Sequence, residues 1–337
     1  MTALLMMKQA GWGLVGQVNL SDIYKPVQKD LEKVERRLEE VADSGFPLLA
    51  QLLAYTLKNG GKRIRPALTL LSAKFFSYKL NTLIPMAMAI ELLHTATLVH
   101  DDIVDNSPIR RGKPTVSRAW GENRALLLGD YLFAKAGSLS AGTGNLRVVE
   151  LFSQTLMTIS GGELNQTGVT FDLARLREYY FAWVSAKTAC LFATATESGA
   201  ILSQAPEDAI EAMRDYGHNL GMAFQIVDDV LDFVGDEDEM GKPVGSDLRE
   251  GTMTLPAILF AESYPEDNLI KSVVEKKDAE SVALAVERIR NSPVMDECLA
   301  LAAEFCSRAS SAVEKLPDNS ARRSLLDLAA YIVERRK

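Results

Sequence analysis

The chain has 337 residues, of which 47% are hydrophobic and 24% charged, and its formal net charge is −8. This is the make-up of a globular chain with ample core, enough for one large domain or two small ones. The acidic excess excludes a general affinity for nucleic acid. Three cysteines with no Cys-x-x-Cys pair exclude a disulfide framework and point to a reducing, cytoplasmic setting.

The opening residues, MTALLMMKQAGWGLVGQV, lack a basic region ahead of their short apolar run, so they do not read as a signal peptide. Residues 1–25 are expected to be the most loosely attached segment, with at most a peripheral membrane contact. No run of about 18 uncharged apolar residues suggests a membrane span. From Leu31 to Leu57 apolar residues recur at three- and four-residue spacing, with Glu and Lys on the opposite face, which predicts helix. "LTLLSAKFF", "PMAMAIELLHTATLVHDDIVD", "RALLLGDYLFAKAGSLSA", "LFSQTLMTISGGELNQ", "LREYYFAWVSAKTACLFATATESGAIL", "AIEAMRDYGHNLGMAFQIVDDVLDFV" and the tail "ARRSLLDLAAYIVERRK" continue the pattern. Several are apolar nearly all round and belong at the centre of a bundle. Gly and Pro fall between them, in "KNGGKRIRP", "NSPIRRGKP" and "GDEDEMGKPVGSD". Alternating strand patterns are absent. The expectation is one all-α domain over residues 1–337, a single-domain bundle of about ten or more helices given the usual helix length.

Two segments end in acid. "HDDIVD" carries Asp101, Asp102 and Asp105, and "VDDVLD" carries Asp228, Asp229 and Asp232. Residues four apart share a helix face, where like charges repel, and burial against an apolar segment adds a desolvation cost. Such an arrangement calls for cations. Carboxylate oxygens suit Mg²⁺, which binds through one or two carboxylates plus substrate phosphates and water. One DDxxD alone is an ordinary acidic turn; two, each closing an apolar helix, suggest facing halves of one metal site. "DEDEMGKPVGSD" superficially resembles a calcium loop, but Met240 sits at a ligand position, Pro243 interrupts it, and Asp247 replaces the closing Glu, so an EF-hand is rejected.

Basic residues complete the picture. "GGKRIRP" crowds Lys62, Arg63 and Arg65 beside two glycines ahead of an apolar helix, and Arg110, Arg111 and Lys113 directly follow the first acidic motif. Glycines let backbone approach an anion, helix N-termini favour phosphate, and arginine grips it through a planar fork. Either cluster alone would read as a solvated loop. Together they imply two anions, one held through metal and one held directly. The flanks are apolar (Ala89, Leu92, Leu93, Ala96, Leu98, Val99; Phe224, Ile226, Val227), so the substrates should be phosphate-headed and hydrocarbon-tailed.

In order and number, "GGKRIRP", "ELLHTATLVHDDIVDNSPIRRGKPT", "LLLGDYLFAKA", "GGELNQ", "AKTA", "FQIVDDVLD", "GKPVGSDLREGTMTLP" and the basic tail resemble the trans-isoprenyl diphosphate synthases, nearest to the long-chain polyprenyl subgroup. The resemblance implies the isoprenoid synthase fold, with helices around a central apolar tunnel, and a homodimer. It implies that the six aspartates hold about three Mg²⁺ ions around an allylic diphosphate, in keeping with carboxylate–phosphate magnesium chemistry. Lys62, Arg65, His94 and Arg111 match the residues that hold isopentenyl diphosphate. Arg110, Lys187, Thr188, Gln225 and Lys242 match those that hold the allylic diphosphate, and Lys187 is also counted with the catalytic groups. Many relatives carry lysine where this chain has Thr252. His100 and His218 receive only structural roles.

The implied reaction is prenyl transfer: the metal-neutralised allylic diphosphate ionises, isopentenyl diphosphate attacks the cation, and a proton is lost to the released diphosphate. Thr97 and Ala96 lie about one helical turn before Asp101, and the absence of an aromatic residue there predicts long products, about six or more isoprene units. A shorter-chain farnesyl or geranylgeranyl synthase, a terpene cyclase and a non-catalytic synthase subunit are the rivals. The last two are disfavoured by the second Asp-rich motif together with "GGKRIRP", and by both motifs being intact.

Overall fold

The structure, a computed structural model, describes residues 19–43, 45–58, 61–166, 175–234, 244–276 and 279–335. The chain opens with α1 (Leu20–Tyr24), α2 (Gln28–Glu40), α3 (Pro47–Leu57) and α4 (Ile64–Ala73). The long α5 (Leu80–Val104) is followed by a minimal hairpin, β1 (Ile109–Arg110) and β2 (Lys113–Pro114), and by α6 (Val116–Trp120). Then come α7 (Glu122–Ala141), α8 (Leu146–Gln166) and α9 (Leu176–Val184), which runs through a π turn at Ser185–Ala189 into α10 (Cys190–Leu202). α11 (Glu207–Val234) is the longest helix, and α12 (Ser246–Glu250), α13 (Leu255–Ser263), α14 (Leu269–Lys276), α15 (Ala279–Arg290), α16 (Val294–Val313) and α17 (Ser320–Glu334) complete the set.

The expectation of a helical bundle holds, and its centre follows from the sequence. α5 packs on α4 and α7, while α11 packs between α10 and α16. α5 is apolar around its circumference because neighbours cover it on nearly all sides: Leu83, Met86, Ala87, Ile90, Leu92, Leu93 and Ala96 are all fully buried. It is long and apolar enough to cross a bilayer, but two-thirds of its most apolar window is buried inside the protein, as in a core helix.

α10 and α11 meet closely because glycine permits it. A Cβ on Gly221 would sit 2.6 Å from Ala189 Cα, and one on Gly217 would run into Thr196 and the Phe192 carbonyl. The backbones therefore approach more nearly than larger residues allow. The Tyr216 hydroxyl, fully buried, donates to the Leu325 carbonyl at 2.7 Å and so ties α11 to α17.

The looseness expected of residues 1–25 needs correction at its end. Residues 1–18 lie outside the described residues, but α1 is docked: Ile23 is 1% exposed, and the Tyr24 hydroxyl donates to the Lys62 carbonyl at 2.7 Å. Burying two large side chains and one hydrogen bond is enough to hold so short a helix.

Candidate active site

A cavity of about 700 Å³ opens where the C-terminal ends of α5 and α11 face each other. Both ends carry aspartates. Helix C-termini bear partial negative charge, so carboxylates there are electrostatically unfavourable unless a cation compensates. The two acidic motifs, 127 residues apart (228 − 101), therefore meet: Asp101 and Asp228 line the same void.

The six aspartates are not equivalent. Asp101 faces the cavity, and burial pushes its carboxyl up to about 6 despite the pull of the Lys187 ammonium. Asp105 caps the end of α5 and is exposed. Asp102 is 5% exposed and accepts from Arg110 Nε at 2.6 Å. On α11, Asp228 pairs with Arg335 Nη2 at 2.9 Å. Asp229 is 1% exposed; Tyr180 Oη donates to one oxygen at 2.6 Å and Gln225 Nε2 to the other at 2.8 Å. Burial holds the Asp229 carboxyl well above the usual carboxylate range. Asp232, also 1% exposed, accepts from Ser246 Oγ at 2.8 Å and from the Asp247 amide at 3.3 Å. Asp101 and Asp228 thus face the cavity, Asp105 is at its rim, and Asp102, Asp228, Asp229 and Asp232 each accept a hydrogen bond from a protein donor. The DDxxD spacing sets a helix face but cannot reveal what the flanking elements bring to it.

Lys187 comes from the π turn, whose extra residue rotates the chain so that Lys187 and Thr188 both face the cavity. Its ammonium lies 3.5 Å from Asp101 and 3.0 Å from Glu163 Oε1. Although burial opposes the charge, these two carboxylates hold it firmly protonated. Thr188 Oγ1 donates to Gln225 Oε1 at 2.8 Å, so Thr188, Gln225, Asp229 and Tyr180 form one hydrogen-bonded chain. Lys242 lies outside the described residues, as does most of the rejected calcium-like loop.

Basic residues line the same cavity. Lys62, Arg63, Arg65, Arg110 and Arg111 line it with His94. Arg65 Nε is buried without a partner, and its guanidinium stacks 4.6 Å over the Phe192 ring. Burial pulls the Arg65 guanidinium down to about 10, with the Glu91 charge opposing most strongly. Burial and then Arg65 and Arg111 push His94 well below its ordinary value, so the imidazole is neutral. Arg111 sits in the two-residue hairpin loop Arg111-Gly112, with φ of 52° and 73°. Its Nη2 would be 3.3 Å from a Cβ on Gly61, so the guanidinium lies across the glycine loop.

The apolar part of the wall comes from Ile64, Leu98, Ile159 and Phe224. Thr97 is also on it, with its hydroxyl bonded to the His94 carbonyl at 2.7 Å. Ala96 is not: it is fully buried against neighbouring helices. Four residues back from Asp101 return to nearly the same face, whereas five swing well away from it. His100 stacks on Phe133 and meets the Leu126 carbonyl at 3.0 Å, while His218 meets Ser185 Oγ at 3.0 Å; both have protein partners, as expected.

Sequence reasoning passed over Glu91, Glu163, Tyr180 and Arg335. Glu163 stands in "GGELNQ" and Arg335 in the basic tail, both noted as landmarks; a polar residue inside an otherwise apolar motif was the available signal.

No three carboxylate, imidazole or thiol groups among the described residues converge tightly enough to hold an ion by themselves. Opposed carboxylates across an open cavity do fit a cation whose remaining ligands are substrate phosphate and water, which is the usual habit of Mg²⁺.

Residues 46–289 match the Polyprenyl synthetase family. Heptaprenyl diphosphate synthase component 2 of Geobacillus stearothermophilus is 36% identical over 94% of this chain and 99% of its own length. Octaprenyl diphosphate synthase of Escherichia coli K12 is 34% identical with the same coverage. A polyprenyl synthase from Caulobacter crescentus CB15, solved with calcium and isoprenyl diphosphate, superimposes with a TM-score of 0.90 at 34% identity, covering 95% of this chain and 99% of that one. A paired-aspartate cavity with a basic wall, on this helical frame and with these similarities, leads to one conclusion: the chain belongs to the polyprenyl synthetase family.

Proposed function

We propose that this enzyme condenses isopentenyl diphosphate onto an allylic diphosphate to make a long all-trans polyprenyl diphosphate. The observation that carries the reading is that one cavity is lined by Asp101 and Asp228 together with Arg65, Arg111 and His94. Divalent cations, Mg²⁺ by ligand chemistry, would be held by the two motifs, Asp101, Asp102 and Asp105 with Asp228, Asp229 and Asp232, and would neutralise the leaving diphosphate when bound.

The protein's own residues do the rest. Lys187, fixed by Glu163 and Asp101, presents an ammonium to the same diphosphate. Thr188 and Gln225 are pre-oriented by the chain that ends at Tyr180. Arg65, Arg111 and Lys62 would take the second diphosphate, and neutral His94 offers it a hydrogen-bond donor without adding charge. Leu98, Ile159 and Phe224 keep water from the allylic cation. The hydrocarbon tail would run past Thr97.

Long products are favoured by the heptaprenyl and octaprenyl relatives and by the small side chain of Thr97. The purified chain with labelled isopentenyl diphosphate, allylic primers of several lengths and Mg²⁺ should give long polyprenyl diphosphates, with activity lost to chelator and restored by metal. Products that stop at three or four isoprene units would overturn the length reading.

For assembly, α8 shows Leu146, Met157 and Leu164 at 72%, 60% and 73% exposure, and α7 adds Leu126 and Leu127. Spacings of eleven and seven place the three α8 residues on one helical face, an unusual apolar surface for a monomer. We assign it to a second copy of the chain. The "component 2" relative favours another reading, a heteromer in which this chain is the catalytic half. Sedimentation and an activity assay of the chain alone separate the two. Three free cysteines and an acidic composition fit a cytoplasmic enzyme, which cell fractionation would check.

A further inference from the structure

Arg63 stands between Lys62 and Arg65 in the basic loop, but its side chain takes a different course. It has φ of 50°, in the left-handed region that bulky residues seldom occupy, at the residue that caps α4. Its guanidinium reaches back into the protein. Nε donates to Glu35 Oε1 on α2, Nη1 to Glu91 Oε1 on α5 at 2.5 Å, and Nη2 to Glu35 Oε2 at 3.1 Å. The Arg63 side chain is 10% exposed and that of Glu91 8%, so the pair is largely shielded from water. Arg63 and Glu91, the latter one turn before His94, both border the cavity, whereas Glu35 is not among the cavity residues.

We infer that the Glu35–Arg63–Glu91 network is a positioning device: it locks the strained turn of the basic loop so that Lys62 and Arg65 are presented to isopentenyl diphosphate. The inference rests on the reading of that wall as the isopentenyl diphosphate subsite.

The geometry supports this role over direct binding. The guanidinium's donors toward α2 and α5 are spent on carboxylates, and a fork held by two acids on different helices fixes a backbone more firmly than a single pair does. The loop receives an independent tie when Tyr24 donates to the Lys62 carbonyl, so the flanking basic residue is held from behind as well. Glu91 is also the chief counter-charge felt by Arg65 and Arg111, which keeps mutually repelling guanidiniums together before substrate arrives.

The sign of the effect distinguishes positioning from electrostatics. Glu35 and Glu91 are negative charges near an anion site. If they acted only through their field, neutralising either would tighten isopentenyl diphosphate binding. If they position the loop, removing them loosens it. The experiment measures KM for each substrate and kcat for full-length Glu35→Ala, Glu91→Gln and Arg63→Lys, beside Arg65→Ala as a control, with thermal unfolding of each.

Positioning predicts that KM for isopentenyl diphosphate rises about three- to ten-fold in Glu35→Ala and more in Arg63→Lys, which cannot form the fork. KM for the allylic primer and kcat should stay within about two-fold, as expected when only ground-state binding is lost. A fall in that KM, no change, or equal changes for both substrates would overturn the inference. A lowered melting temperature with unaltered KM would show the network to be merely structural, which also overturns it. If Arg65→Ala leaves KM for isopentenyl diphosphate unchanged, the subsite reading itself fails; if only the Glu35, Arg63 and Glu91 variants are silent, the subsite stands and the network's role falls.

Discussion

Replacing Arg111 by asparagine should separate the stability of this enzyme from its activity. Arg110 pairs with Lys113 across the hairpin, so the loop is Arg111-Gly112, and both residues have positive φ. Such a two-residue turn favours Asn-Gly. Arginine there costs about 1 kcal/mol or somewhat more in backbone energy, a cost sensible only if its guanidinium is needed where it lies, across Gly61. Asparagine keeps the turn and relieves that backbone cost while giving up the attraction between Arg111 and Glu91, so Arg111→Asn should change stability by no more than about 1 kcal/mol. The variant would, however, lose a charge-assisted contact with diphosphate, worth about 1.5–3 kcal/mol. That converts to a roughly 10- to 100-fold rise in KM for isopentenyl diphosphate, at about 1.4 kcal/mol per decade. Thermal unfolding and steady-state kinetics with each substrate varied in turn provide the test. A melting temperature that falls by several degrees, or an unchanged KM, would refute the reasoning.

Thr97→Phe should shorten the product distribution on sizing, because this side chain is on the cavity wall, while Ala96→Phe should chiefly destabilise by about 1–3 kcal/mol through overpacking. Gly129→Ala would drive a Cβ into the His100 ring; it should lower the melting temperature, and pairing it with His100→Ala should recover part of the loss in a double-mutant cycle. Burial opposes ionisation of Asp30, but hydrogen bonds from Lys33 and Tyr78 and the nearby Lys74 charge leave its carboxyl below the ordinary 3.8. A lowered folded value stabilises above the unfolded value and is lost as pH falls through the folded one. The stability gap between the parent and Asp30→Asn should therefore be full at neutral pH and close below about pH 4.

Much of this site was legible in the sequence because its chemistry is local. Each acidic motif closes its own helix, and "GGKRIRP" supplies glycine and cations within one short stretch, so charge type and spacing could be read directly. Partnership could not. Asp228, Asp229 and Asp232 look alike in sequence, yet Arg335, Tyr180 and Ser246 bond them in turn, and the last two donors lie 49 residues before Asp229 (229 − 180) and 14 after Asp232 (246 − 232). Arg63 looks like one more phosphate ligand until α2 and α5 are seen to occupy it. Lys187 reaches the cavity by a π turn, which apolar periodicity does not announce. The fold class was accessible for the opposite reason: all-round apolar helices such as α5 can only be central, whatever their exact neighbours.

Arg335 has a kinetic consequence. Its guanidinium, 4% exposed, joins Asp228, the Phe224 carbonyl and the Phe224 ring, partners 107 and 111 positions earlier (335 − 228 and 335 − 224) that border the cavity. Contacts that distant in sequence carry a large loop-closure entropy and tend to form late in folding. A folding molecule can therefore bury most of its helices while still unable to grip a ligand. In amide exchange, α17 should be the element whose protection rises most when the cavity is filled, and its opening the first step by which a filled enzyme lets go.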